Sequence, residues 1–123
     1  MRDALIREAG ECMICGCNEK RPKHRIPELN RLCCHEIANG PSRQKALDAP
    51  ASILVLCWYC NGHEVEDKGQ WPEARQLAVL LSKSPHHYDL AAHNFLVNPN
   101  APRRIEQHEV DYWIDFGEAP LET

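Results

Sequence analysis

Four cysteines stand in two like spacings, Cys12-Met-Ile-Cys15 and Cys57-Trp-Tyr-Cys60. A CxxC knuckle turns two thiolates toward one point, and two knuckles supply the four soft ligands of a tetrahedral zinc ion, with each sulfur about 2.3 Å from the metal. Such a site leaves no open coordination position, so its work is structural: it staples two distant stretches of chain. Redox chemistry is the rival for a single CxxC; a matched pair of knuckles favours zinc. Between Cys15 and Cys57 lie 41 residues, more than a simple zinc ribbon needs, so the functional question belongs to this insert. Of the remaining cysteines, Cys17 and Cys33 read as small buried or half-buried thiols, and Cys34 is left open.

The 123 residues, 43% hydrophobic and 26% charged, suit one compact domain. No apolar run approaches the roughly 20 residues that span a bilayer. The first twelve residues mix charges of both signs with apolar residues and carry no leader pattern, so the expectation is a cytoplasmic protein with reduced thiols and no membrane partner. An odd total of seven cysteines also points to metal ligation rather than disulfides. The net charge of −4 hides a polarity. Residues 1–50 hold 9 Lys and Arg against 7 Asp and Glu, whereas residues 51–123 hold 5 against 11. Lys20, Arg21, Lys23, Arg25, Arg31, Arg43 and Lys45 crowd into one stretch with only Glu28 and Glu36 opposing them. A phosphate backbone would meet that face.

The elements that must position these groups follow from local pattern. Residues 4–9 suit a short helix stopped by Gly10, and the proline-punctuated segment Lys20–Pro27 reads as a loop. Leu29–Ile37 reads as a strand that enters the Asn39-Gly40-Pro41 turn, and Ile53–Leu56, ending at Cys57, as a short buried strand. Trp58–Lys68 then suits a helix opening on the second knuckle, with Gly69 as its stop. Pro72 at a first helical position, with Ala74, Leu77, Ala78, Leu80 and Leu81 at helical spacing, predicts the clearest amphipathic helix. Further helices are expected over Pro85–Leu96 and Arg104–Phe116, separated by a stiff Asn98–Pro102 linker. Trp58, Tyr59 and Trp113 read as core aromatics, and His86, His87, His93 and His108 as solvated or packing histidines.

The order CxxC, a hairpin carrying Cys34-His35-Glu36, a strand ending Leu-Val-Leu-Cys57, and Cys60-Asn61 opening a helix resembles the HNH, or ββα-metal, nucleases. The likeness covers about residues 12–68. The form Cys57-Trp-Tyr-Cys60-Asn61 is most similar to the phage recombination endonuclease VII branch, and the later helices resemble the C-terminal extensions of small phage-type HNH proteins. The resemblance implies an α+β fold: a ββα-metal hairpin-helix core over residues 1–70, stapled by the four-cysteine zinc, with a packed helical extension over 71–123. It implies a DNA endonuclease that nicks or cleaves a phosphodiester bond. His35 would be the general base, and Asn61, helped by His63 or Glu64, would ligate a catalytic Mg2+ or Mn2+. A neutral imidazole can take the proton of a water at working pH, and one hard divalent ion supplies charge at the phosphate and the departing oxygen.

This chain departs from the family at three places. Cys34 occupies the position before the base, where the family has Asp or His, and a thiol is a poor partner for Mg2+. Ser52 stands where the family has its central Asn, and Asn61 rather than His follows Cys60. An alternative register therefore has His35 as a metal ligand and Glu36 as the base. The expected partner is duplex or branched DNA; junction-cutting relatives are dimers, which keeps a homodimer open. The rival class is a zinc-stabilised module that binds nucleic acid or protein without catalysis.

Overall fold

A computed structural model describes residues 2–37, 49–65, 71–97 and 105–116; Arg43, Lys45 and the turn and linker expected at Asn39–Pro41 and Asn98–Pro102 lie outside them. The architecture is α+β. Among the described residues, helix α1 (Arg2–Ala9) precedes the first knuckle, an antiparallel pair β1 (Leu32–Glu36) and β2 (Ile53–Cys57) follows, and three α-helices come after it: α2 (Glu73–Lys83), α3 (Leu90–Val97) and α4 (Gln107–Phe116). No helix among the described residues is long and apolar enough to cross a membrane.

Each boundary has a local cause. Gly10, at φ +72°, ends α1 in the left-handed region and donates its N–H to the Ile6 carbonyl at 2.9 Å, a glycine C-cap. In the ladder, Leu32 faces Cys57 and Glu36 faces Ile53. It is extended at one end by Trp58 N–H to Arg31 C=O (2.9 Å) and at the other by Ile37 N–H to Ser52 C=O (2.8 Å). Side chains alternate across a strand, so this register sends His35, Leu54 and Leu56 to one face and Cys34, Glu36, Val55 and Cys57 to the other. Helix α1 covers the second face: Arg2 reaches Glu36 at 3.2 Å, and the Cys34 thiol donates to the Arg2 carbonyl at 3.6 Å. Helix α2 covers the first, where Gln76 meets His35. With both faces covered, every residue of β2 is buried, which is why the run Ile-Leu-Val-Leu is continuous rather than alternating.

Two expected helices start or close differently. After Trp58 and Tyr59 the chain makes a wide π-type turn over Cys60–Val65 instead of a regular α-helix, a form common at functional sites. The third helix begins at Leu90 and not at Pro85. Residues 85–87 form a turn, and the Asp89 carboxylate accepts the Ala92 N–H at 3.0 Å, the side-chain cap that fixes the start. Helix α2 keeps its expected span, packing its Leu77, Ala78 and Leu80 side into the core, where Val110 of α4 is also buried.

Leu56 is wholly buried at the centre of this arrangement. Leu56→Ala is expected to lower unfolding free energy by roughly 2–5 kcal/mol, whereas Phe95→Ala, at a residue 65% exposed, should stay within about 0.5 kcal/mol; urea denaturation of both variants checks the contrast.

Candidate metal centre

The first knuckle is folded by its own backbone. Cys12 N–H donates to the Cys17 carbonyl (2.8 Å) and Gly16 N–H to the Cys12 carbonyl (2.9 Å), while Met13 N–H docks the knuckle on β2 through the Val55 carbonyl (3.0 Å). Gly16 sits at φ +81°, where a side chain would be strained. The second knuckle continues from β2, so the two meet where Met13 anchors to the strand. The sulfurs of Cys12, Cys15, Cys57 and Cys60 all lie within 4.8 Å of one another. Those of Cys15 and Cys57 are 3.7 Å apart, close to the about 3.8 Å edge of a tetrahedron with 2.3 Å zinc–sulfur bonds. Backbone donors aim at the sulfurs: Cys15 N–H at Cys12 Sγ (3.5 Å) and Cys60 N–H at Cys57 Sγ (3.4 Å). This donor set can hold a metal ion such as zinc.

The protonation of the cluster follows from crowding. Thiols of Cys12 and Cys60 donate to the Cys15 sulfur and hold its pKa far below the thiol range, while the same sharing drives Cys60 far above it. Burial pushes Cys57 up to about 11. Without a cation, one thiolate is stabilised at the expense of its neighbours. A divalent ion removes that conflict and displaces the thiol protons.

Two further donors reach the same sulfurs, and the spacing of the knuckles did not disclose them. His24 Nε2 lies 3.6 Å from Cys15 Sγ and 3.4 Å from Cys57 Sγ, and Cys17, Cys15, Cys57 and His24 form a second group with all ligand atoms within 4.8 Å. Cys17 is buried, as expected of a small thiol, but it sits among ligands. The His24 ring is held on purpose-built surroundings. It stacks on Tyr59 with centroids 4.4 Å apart, and buried Asn30 accepts the N–H groups of Lys23 and His24 (2.9 and 3.0 Å) and donates to the His24 carbonyl (3.0 Å). The only sequence signal was a histidine seven residues beyond Cys17 within the basic loop. Cys33 and Cys34 stay outside the cluster; burial raises both thiols, and Cys33 donates to the Leu56 carbonyl at 3.4 Å.

On the hairpin, His35 is 8% exposed and its Nε2 lies 2.9 Å from Gln76 Oε1. Gln76 Nε2 donates to the Trp71 carbonyl at 2.8 Å. A carbonyl only accepts, so the amide orientation is set, Oε1 must accept from His35 Nε2–H, and the lone pair of neutral His35 is on Nδ1. Glu36 projects to the opposite face and pairs with Arg2. His35 and Glu36 are therefore not brought together on one ion or water, and the register that joins them as ligand and base does not fit the strand. Asn61, one residue after Cys60, buries its Oδ1 with no hydrogen-bond partner. The side chains of His63 and Glu64 lie outside the described residues.

Ser52, at the position of the family's central Asn, is fully buried and 2.7 Å from His93 Nδ1. His93 Nε2 in turn lies 3.1 Å from Glu73 Oε2. The carboxylate accepts from Nε2–H, and the Ser52 hydroxyl donates to Nδ1. Of the two expected kinds His93 is a packing histidine, the middle of a buried relay joining the start of β2 to α2 and α3. Trp58, expected in the core, is 45% exposed. With Arg31, whose guanidinium lies 5.7 Å from its ring centroid, and with Lys20 it lines an open groove of about 490 Å³. Lys20, Arg21, Lys23, Arg25 and Arg31 are all exposed, but Arg21 pairs with Glu11 (3.4 Å), Arg31 with Glu19 (3.7 Å), and Lys23 donates to the Cys15 carbonyl. On the surface, His86 and His87 bond Glu8 of α1 and hold its carboxyl below the usual range.

Thiolate ligation competes with protons, so lowering pH from about 8 to about 5 is expected to release bound zinc. With one donor fewer, Cys60→Ser should release it at a higher pH than wild type; a chromophoric zinc indicator reads both midpoints. Ser52→Ala leaves the buried Nδ1 of His93 without its donor, and chemical denaturation is expected to show a loss of about 1–3 kcal/mol.

Comparison of this chain with protein-family models, with curated proteins and with solved structures finds no match.

Proposed function

We propose that this chain is a metal-dependent DNA endonuclease of the HNH type. The observation that carries the reading is the Asn61 carboxamide oxygen, buried without a hydrogen-bond partner directly after a cysteine of the metal centre. An orphaned buried acceptor is expensive unless something completes it, and an amide oxygen suits a hard divalent ion such as Mg2+ or Mn2+. Such an ion, when bound, supplies positive charge to the phosphate and the departing sugar oxygen. The remaining work belongs to the chain. His35 takes the proton of the attacking water on Nδ1, and Gln76 holds the ring by its Nε2–H in the tautomer this requires. Lys20, Arg25 and Arg31 meet the phosphate backbone from the exposed loop, and a zinc ion held by Cys12, Cys15, Cys57 and Cys60 would keep that loop's root against the hairpin.

A second reading, a zinc-stabilised nucleic-acid-binding module without catalysis, is favoured by the near-complete burial of His35 and by the Trp58–Arg31 groove, which pairs a ring face with a cation as single-strand binders do. One experiment separates them. Supercoiled plasmid is incubated with the purified protein and Mg2+ or Mn2+, beside His35→Ala and Asn61→Ala. Nicking by wild type, reduced about 10²-fold or more in each variant, is the expected result. Undiminished nicking in both removes these residues from the chemistry. No nicking of plasmid or branched DNA, with DNA binding that weakens in Trp58→Ala and Arg31→Ala, establishes the second reading.

A further inference from the structure

The two four-donor groups of the metal centre share an edge. Cys15 and Cys57 belong to both groups; Cys12 and Cys60 complete one, and Cys17 and His24 the other. From this geometry we propose that the centre holds two zinc ions bridged by the sulfurs of Cys15 and Cys57: one completed by Cys12 and Cys60, the other by Cys17 and His24. The proposal is independent of the nuclease reading.

The distances fit both halves. A tetrahedral ion with zinc–sulfur bonds near 2.3 Å and a zinc–nitrogen bond near 2.05 Å sets nitrogen and sulfur about 3.5 Å apart, and His24 Nε2 stands at 3.6 and 3.4 Å from the two bridging sulfurs. The shared edge is 3.7 Å. Two tetrahedra can share an edge of this length with their centres on opposite sides of it, about 2.7 Å apart for zinc–sulfur bonds near 2.3 Å. Charge points the same way. Five thiolates around one divalent ion leave −3 on the cluster, and around two ions they leave −1, with the Lys23 ammonium held on the Cys15 carbonyl alongside. The Tyr59 stack and the Asn30 clamp orient His24 as outer partners orient metal-bound imidazoles.

The test is metal stoichiometry with a readout of bridging. Zinc in the purified protein is measured by elemental analysis. Apo-protein is then titrated with Co2+, following thiolate-to-cobalt charge transfer, visible d–d bands and electron paramagnetic resonance. The expected result is two zinc ions per chain, two equivalents of Co2+, and a fall in resonance signal per cobalt as the second ion couples through the bridging sulfurs. His24→Ala and Cys17→Ala each drop the count to one, and His24→Cys restores two. One equivalent in wild type overturns the proposal: if His24→Ala leaves it intact, the single ion sits on the four knuckle cysteines, and if His24→Ala removes it, on the second group. Two uncoupled ions exclude the bridge, and no bound metal overturns the whole centre.

Discussion

The approach of Cys15 to Cys57 is the constraint on which the rest of the molecule depends. Cys15 belongs to a knuckle at the root of the N-terminal segment, and Cys57 is the last residue of a fully buried strand. Holding their sulfurs at metal-ligand distance closes a chain loop of more than forty residues and fixes three things at once: the position of the basic loop, the seat of α1 against the hairpin, and the direction in which the chain leaves β2 toward Asn61. The same approach is backed by one contiguous apolar core that joins the knuckles and hairpin to α1, α2 and α4. A metal ion on these donors would add its binding free energy to that of hydrophobic burial.

Once that edge is closed, the hairpin becomes a partition. Its two faces meet different helices and carry different chemistry: the knuckle cysteine, Cys34 and Glu36 toward α1, and His35 with its glutamine partner toward α2. Strand alternation alone puts His35 and Glu36 on opposite faces of the hairpin, with Gln76 and Arg2 as their respective partners. The buried relay Ser52–His93–Glu73 serves the partition from its far end. It satisfies two polar side chains that would otherwise be stranded in the core, and it ties the entry to β2 to helices far along the chain. A serine thereby anchors this hairpin through a histidine from another helix.

The residues that crowd around the metal centre also explain where function can reside. A closed thiolate site does no chemistry on a substrate. Around it stand an amide oxygen without a partner, a tryptophan half in solvent with an arginine beside its ring, and an imidazole close to two sulfurs. Each is a departure from the bland expectation for its residue type, and all adjoin the two knuckles. Such departures gather where surrounding structure can support them.

What the sequence determined by itself was whatever depends on neighbours in the chain. The CxxC spacing named four donors, because two thiols within one turn converge whatever the rest of the protein does. Glycine at position 10, the apolar run at 53–56 and proline at 72 marked a helix end, a buried strand and a helix start, because backbone preference and periodicity act over a few residues. The tertiary structure decided the matters that rest on distant contacts. Cys17 and His24 join the donor cluster because the loop folds back under the Asn30 clamp; His93 is buried where Ser52 and Glu73 meet it; and His35 faces Gln76 because α2 packs on that side of the hairpin. A spacing in sequence constrains residues a turn apart, whereas convergence across tens of residues is set by which faces pack, and that is a property of the whole fold.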